Sequence, residues 1–415
     1  MDNIKIHKGQ KGNILIPIII VGIILAIFTG FLFTKQKESE QNLETDLIEY
    51  KAPQEKEDKA PSFDPLDLRD TWSRGKCQGK GMVKFGTLPM KPEDFSVYEP
   101  YGMVTESHVT PIDHGYFSPI VFNSPRDTYE VRAIADGVIV EIEARGKPEY
   151  RINIEHTCDL YSYFDLITSL SPEIKAQLEK AGGKYFIGRI PIKEGQLIGK
   201  IGGQTLDFAV YNNTLRLNFI NPKSYEGEPW KIHTDDPLKY FKEPAKSILI
   251  SRNIRKAEPI AGKIDYDIDG KLIGNWFEEG TNGYAGKKME SYWEGHFALA
   301  YDYIDPTQIR FSIGNFGGKA AQFGVKGNSP DPAKVDKSSG IIKYELVQYQ
   351  YYDKLGGAWD LKHVIGEPAS KNTDFIQGTA LLQLLEDRKL KLEVFPGKTA
   401  SQVSGFTPNA RIYER

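Results

Sequence analysis

Ile14 to Phe33 reads ILIPIIIVGIILAIFTGFLF, a run of 20 residues without a charge. At about 1.5 Å rise per residue, a helix of this length crosses a hydrocarbon core of about 30 Å. A secretory leader has a shorter apolar core, about 7–15 residues, closed by small residues at a cleavage site. Here the run ends in FTGFLFTK, with no such pattern. A buried helix in a soluble protein is the bland alternative. The run is therefore read as a retained transmembrane helix over 14–33. Lys5, Lys8 and Lys11 precede it, which favours a cytoplasmic tail over 1–13 and the bulk of the chain outside the cytoplasm. Residues 34–62 are rich in Glu and Lys and poor in apolar residues. Such a stretch cannot bury enough surface to offset its ordering entropy, so it is expected to be a disordered stalk. The bilayer is thus the first expected partner.

The chain has 415 residues and a formal net charge of -3, from 53 Lys and Arg against 56 Asp and Glu. That balance lacks the basic excess of nucleic-acid binders. Two cysteines exclude a disulfide-dense scaffold and a Cys-rich zinc finger. Cys77 and Cys158 both fall in the exported region, where a bridge and two separate buried thiols are equally open readings.

Folding is expected to begin near Phe63. From Tyr129 the text turns to alternating apolar strands: YEVRAIADGVIVEIEARG, EYRINIEH, DLYSYFDLI, then KYFIGRIPIKEGQLIGKIGG and TLDFAVYN. Asp136-Gly137 is a turn signal between two of them. Ser171-Pro172-Glu173 predicts a short helix, with Ser as cap, Pro at the first position and an acid in the first turn.

The order Val131–Ile139 (VRAIADGVI), Ile152–His156 (INIEH), Tyr161–Leu166 (YSYFDL), Ile192–Gly202 (IKEGQLIGKIG) and Leu206–Val210 (LDFAV) resembles the lysostaphin-like zinc metallopeptidases, which are cell-wall endopeptidases. The resemblance spans about residues 108–212. It implies a small antiparallel β core, and a zinc held by a His-x-x-x-Asp pair and the second His of His-x-His. It further implies two assisting histidines, one in the Tyr-x-His-Leu-like strand and the first His of His-x-His. This chain departs from that pattern. Thr205-Leu206-Asp207 stands where His-x-His belongs, and Asp165 where the strand His belongs. Neither His108 nor His114 is followed four residues later by Asp. What remains as a candidate zinc remnant is His108 or His114 with Asp113 and Asp207. His156 falls at a position the family uses structurally. No cofactor is expected, and zinc is the alternative through this remnant. The same segments also resemble the two halves of a lipoyl-type barrel-sandwich domain, as in membrane-anchored adaptor subunits of transport systems. There, however, a long hairpin separates the halves, whereas only Pro172–Lys180 does so here.

Residues 63–222 are thus expected to form the peptidase-like β domain, 223–260 a helical connector split at Pro244, and 261–415 an antiparallel β-barrel or sandwich, with a lipocalin-like barrel favoured. In that last region Asp265, Asp267 and Asp269 precede Gly270 in the D-x-D-x-D-G order of a calcium loop, but Trp276 occupies the twelfth position where Glu belongs. A hairpin turning at Asp269-Gly270, with KIDYDIDG as its first strand, explains the same letters. Trp276, Trp293 and Trp359 are candidate ligand-binding aromatics, with core packing as the alternative. The favoured function is non-catalytic: binding or organising an envelope glycan, peptide or small apolar ligand. The rivals are an atypical zinc endopeptidase and a transport adaptor.

Overall fold

A computed structural model describes residues 63–146 and 149–415. The apolar run, the amino-terminal tail and the stalk lie outside the described residues. Among the described residues no helix is long and apolar enough to cross a membrane.

The first body is built on ten strands: β1 (Phe95–Glu99), β2 (Gly115–Pro119), β3 (Tyr129–Arg132), β4 (Gly137–Arg145), β5 (Glu149–Thr157), β6 (Leu160–Ile167), β7 (Ser169–Leu170), β8 (Tyr185–Ile192), β9 (Leu197–Ile201) and β10 (Leu206–Asn212). Seven form one sheet in the order β1-β2-β10-β6-β5-β4-β8, and β3-β9-β7 form a second. Strand alternation decides the two faces of the large sheet. Phe164, Phe208, Leu206 and Val210 point into an apolar core with Phe117, Ile152 and Ile154. Tyr161, Tyr163 and Asp165 on β6 take the other face. They stand opposite Tyr211, Ala209 and Asp207 on β10.

The short helix forms over Pro172–Lys180, with Pro in its first turn and Ile174 and Leu178 buried. Ser171 makes no side-chain cap, contrary to the sequence expectation; its backbone N–H instead donates to the Ile198 carbonyl at 2.7 Å. Cys77 and Cys158 are joined in a disulfide.

The connector segment is no free linker. Asp236 caps a short turn by accepting from the Leu238 N–H at 2.8 Å. A helix follows after Pro244, over Ala245–Arg252. Leu238, Tyr240, Phe241, Ala245 and Leu249 all pack into the first body's core.

The second body is a closed eight-stranded antiparallel barrel with neighbours in chain order: β11 (Gly274–Glu278), β12 (His296–Tyr301), β13 (Ile309–Ile313), β14 (Ala321–Val325), β15 (Ile342–Tyr352), β16 (Ala369–Glu386), β17 (Lys389–Pro396) and β18 (Arg411–Glu414), which pairs back to β11. Eight strands leave an interior about wide enough for side chains to fill. Trp276, Phe297, Leu299, Phe311, Tyr344 and Leu382 fill it. The up-and-down barrel is the favoured form, but its inside is a packed core. The expected strand over KIDYDIDG does not form. The first barrel strand starts only at Gly274, although the Lys271 N–H closes a turn onto the Ile268 carbonyl.

The described residues belong to one compact unit. Two apolar clusters join the bodies: Leu66, Phe219 and Ile232 pack with Phe277 and Tyr284, and Val97 and Ile254 pack with Tyr303, Ile304 and Trp359.

Candidate functional site

The polar face of β6 and β10 is where the peptidase resemblance would put its chemistry. Gly115, between His114 and Tyr116, lets β2 approach closely; a Cβ there would stand 2.5 Å from the Glu99 carbonyl. His114 is thereby delivered between two carboxylates. Its Nδ1 lies 3.4 Å from Asp113 Oδ1 and its Nε2 3.4 Å from Asp207 Oδ2. Burial alone would push this imidazole down, but the two carboxylates outweigh it and raise it to about 9. Asp207 moves up, because burial exceeds the support from His114.

Asp113 is held well below the usual carboxylate range: burial opposes its charge, but Lys231, His114 and Tyr211 prevail. Tyr211 donates its hydroxyl to Asp113 Oδ2 at 2.8 Å. Lys231 Nζ lies 3.5 Å from Asp113 Oδ1, with the side chain only 1% exposed. The same ammonium sits 5.1 Å from the centre of the Tyr284 ring, which belongs to the barrel side of the molecule.

Asp165, which the resemblance would set against a strand histidine, is served by arginines. Arg145 donates to it, Arg151 donates through Nε at 3.0 Å and Nη2 at 2.8 Å, and the Tyr163 hydroxyl donates at 3.0 Å. The Leu166 N–H donates to the other carboxylate oxygen at 2.7 Å. Leu166 takes a left-handed φ of 63° to do so, a conformation costing an ordinary residue roughly 1–2 kcal/mol. Despite burial, Arg151 and Arg145 hold Asp165 below its ordinary value.

The barrel covers this region. Tyr303 donates to Glu99 at 3.4 Å, and Gln322 donates to the Glu106 carbonyl at 2.9 Å. His108 stands at the edge, its ring 6.1 Å from that of His114. Burial, then His114 and Lys231, push it down to about 4. Four residues after His114, Ser118 donates to Glu99 at 3.1 Å. His156 is tied to the Asp136 carbonyl at 2.8 Å and the Ser162 hydroxyl at 2.9 Å, well integrated into the sheet.

A catalytic zinc needs three ligands and an open position for water. Asp113, His114 and Asp207 do come together. However, both nitrogens of His114 face carboxylates, and Asp113 already answers an ammonium and a hydroxyl. Two unit positive charges at about 4 Å repel by about 4 kcal/mol at an effective dielectric constant of 20, and a dication doubles that. This donor set does not fit a zinc ion. Among the described residues, no group of three or more His, Cys, Asp or Glu is disposed to hold a metal.

The other candidates separate. Asp265 accepts from Lys263 and from the Asn218 N–H. Asp267 accepts from the Ile220 and Asn275 N–H groups. Asp269 is paired with Arg388 at the surface. The three carboxylates of the candidate calcium loop are bound to different partners. Trp276 lies in the barrel core, its indole N–H donating to the Leu272 carbonyl. Trp359 lies in the cluster between the bodies, donating to the His363 carbonyl. Trp293 is half-buried against Tyr292. A cavity of about 530 Å³ at the barrel mouth is lined by Ile313, Leu392, Phe395 and Tyr413, among others, and by none of these tryptophans.

Sequence reasoning missed Lys231, Arg145, Arg151, Tyr163 and Tyr211. For four of them a signal existed. Strand alternation puts Tyr163 on the face of Asp165 and Tyr211 on the face of Asp207, and a carboxylate on a buried face demands cations such as Arg145 and Arg151 on the neighbouring strands. Lys231, in the irregular segment GEPWKIH, carries no such signal.

No protein-family model matches this chain, and no curated protein matches it. Among solved structures the chain is similar to Csd3 of Helicobacter pylori, at 15% identity and a TM-score of 0.25 over 41% of this chain and 40% of that one. It is also similar to a zinc containing peptidase from Vibrio cholerae, at 17% identity and a TM-score of 0.23 over 32% and 38% of the two chains. Lysostaphin is a third, at 14% identity and a TM-score of 0.24, over 62% of this chain and all of that one. The chain thus spans about 40% of the length of Csd3.

Proposed function

We propose that this chain is a membrane-anchored extracytoplasmic protein whose peptidase-like body is non-hydrolytic and serves to bind or organise a cell-envelope component. The observation that carries the reading is the buried charge network: Lys231 on Asp113, His114 between Asp113 and Asp207, and Arg145 and Arg151 on Asp165. Each group that would hold or activate a hydrolytic ion is engaged by another part of the same chain. The cover supplied by Tyr284 and Tyr303 keeps substrate from this face. A glycan or peptide of the envelope is the expected ligand class, bound elsewhere on the surface.

The convergence of Asp113, His114 and Asp207 favours one rival, an atypical zinc endopeptidase. One experiment separates them. The full chain, purified in detergent, is assayed for metal content, for clearing of a peptidoglycan suspension and for co-sedimentation with it. The proposal expects co-sedimentation without clearing and without stoichiometric zinc. Clearing together with one zinc per chain, abolished by Asp207→Ala, establishes the rival.

A further inference from the structure

The barrel is closed, but its strands are not paired along their whole length. β17 pairs with β18 only from Lys389 to Leu392, while its last residues, through Pro396, have β16 alone as a strand neighbour. β13 ends at Ile313, which also lines the opening. The space left there is the mouth cavity of about 530 Å³, within the range of about 300–1,000 Å³ that small-ligand sites occupy. We infer that this mouth binds a small monocarboxylic acid with an apolar body, which rests on a floor of Ile313, Leu392 and Tyr413 while its carboxylate faces Lys398. No lining residue belongs to the polar face of β6 and β10, so the site stands apart from the non-hydrolytic reading and goes beyond it.

Three observations carry it. First, the floor is apolar and held in place. Ile313, Leu392 and Tyr413 belong to the barrel core and are at most 3% exposed, so an apolar group laid on them leaves water at a gain. Second, Tyr413 holds an unused donor. Its ring packs 6.0 Å from that of Phe297, yet its hydroxyl has no hydrogen-bond partner among the described residues, whereas a buried tyrosine hydroxyl usually finds one. Burial pushes this hydroxyl up, so it keeps its proton and remains a donor. Third, the rim carries a surplus of positive charge. Lys398 meets no carboxylate among the described residues, only the Phe395 ring at 5.7 Å. Arg411 shares Glu278 with Lys287. Glu393, the carboxylate in the lining, already accepts from the Thr407 N–H at 2.6 Å and from the Thr407 hydroxyl. Three cations thus stand with two engaged carboxylates, which favours an anionic head on the ligand.

The test uses the full chain in lipid nanodiscs and naphthoate as the probe. Naphthylmethanol is its uncharged counterpart, empty nanodiscs are the blank, and binding is read by titration calorimetry at neutral pH. Wild type is expected to bind one naphthoate per chain, and the alcohol about threefold more weakly. Val394 is half-buried in the cavity wall, and Val394→Phe is expected to fill the mouth and abolish the binding of both. Tyr413→Phe is expected to weaken the acid about fivefold, the loss of one hydrogen bond. Lys398→Met is expected to weaken the acid about threefold and to leave the alcohol unmoved. Absence of saturable binding by wild type overturns the inference. Binding that Val394→Phe and Tyr413→Phe leave unchanged also overturns it, because the acid then sits elsewhere. Equal affinity for acid and alcohol, or full affinity for the acid in Lys398→Met, overturns the carboxylate class. Should Val394→Phe fail to fold, Tyr413→Phe and Lys398→Met, which remove one polar group each, decide the matter by the same criteria.

Discussion

The polar face of β6 and β10 and the interior of the barrel are both buried β surfaces, filled by opposite means. Inside the barrel, Trp276, Phe297, Phe311 and Leu382 exclude water by volume alone. On the polar face the space is taken by Asp113, His114, Asp165, Asp207 and Lys231, which stay buried only because each finds a partner. The difference bears on tolerance. An apolar core loses stability in proportion to the volume removed. A charge network loses it when one partner is deleted, and recovers when both are.

The largest expected effect tests the barrel. Trp276 is fully buried and stacked under the Arg415 guanidinium at 4.1 Å. Trp276→Ala is expected to destabilise by about 4 kcal/mol in urea unfolding. A loss under about 1 kcal/mol would mean that the barrel is not filled as described.

The next test concerns the network. Arg151→Met leaves Asp165, 1% exposed, with the more exposed Arg145 as its remaining cation, beside the Tyr163 hydroxyl and the Leu166 N–H. The expected cost is about 2 kcal/mol, lower than for an unaccompanied buried pair because Arg145 remains. The cost should persist in high salt, since a buried pair is weakly screened. Disappearance of the effect in 1 M salt would mark the pair as a surface interaction.

A smaller effect contrasts two buried histidines. His296, packed against Tyr284 and the Phe277 ring, is pushed down to about 3 by burial. It therefore favours folding fully above its ordinary value near 6.5, and this support falls away as pH drops from there toward 3. His114, raised to about 9, behaves oppositely. Its contribution is complete below 6.5 and is lost as pH rises through 9. His114→Gln is expected to flatten the alkaline limb of the stability profile by on the order of 1 kcal/mol, and His296→Gln the acid limb. Denaturant midpoints at pH 4, 6.5 and 9.5 check the sign, and parallel profiles for the two variants would contradict the contrast.

The smallest effect lies outside both regions. Arg388 and Asp269 are more than half exposed, and exposed ion pairs contribute little. Arg388→Ala is expected to leave the thermal midpoint unmoved; a clear drop would show that the Ile268–Lys271 turn depends on this pair.

Much of the fold was legible because it is written in local periodicity. The alternation in YSYFDL and LDFAVY marks strands whatever they pair with, Pro244 breaks a helix wherever it stands, and Glu386-Asp387-Arg388 turns one hairpin of the barrel. Where local text misled, a nonlocal bond had won. KIDYDIDG alternates like a strand, but Asp265 and Asp267 are captured by the Asn218, Ile220 and Asn275 N–H groups, so no ladder forms there. Ser171 has the letters of a helix cap, yet its backbone is drawn to Ile198.

By itself the sequence determined the β character of both bodies, the closed meander's strand supply and the carboxylates at Asp165 and Asp207 on alternating strands, because strand period and residue chemistry need no partner to be read. Only the tertiary structure decided which cations face the buried carboxylates. Lys231 lies 118 residues from Asp113 along the chain, counting from 113 to 231, and a charge is attracted across space, not along the sequence.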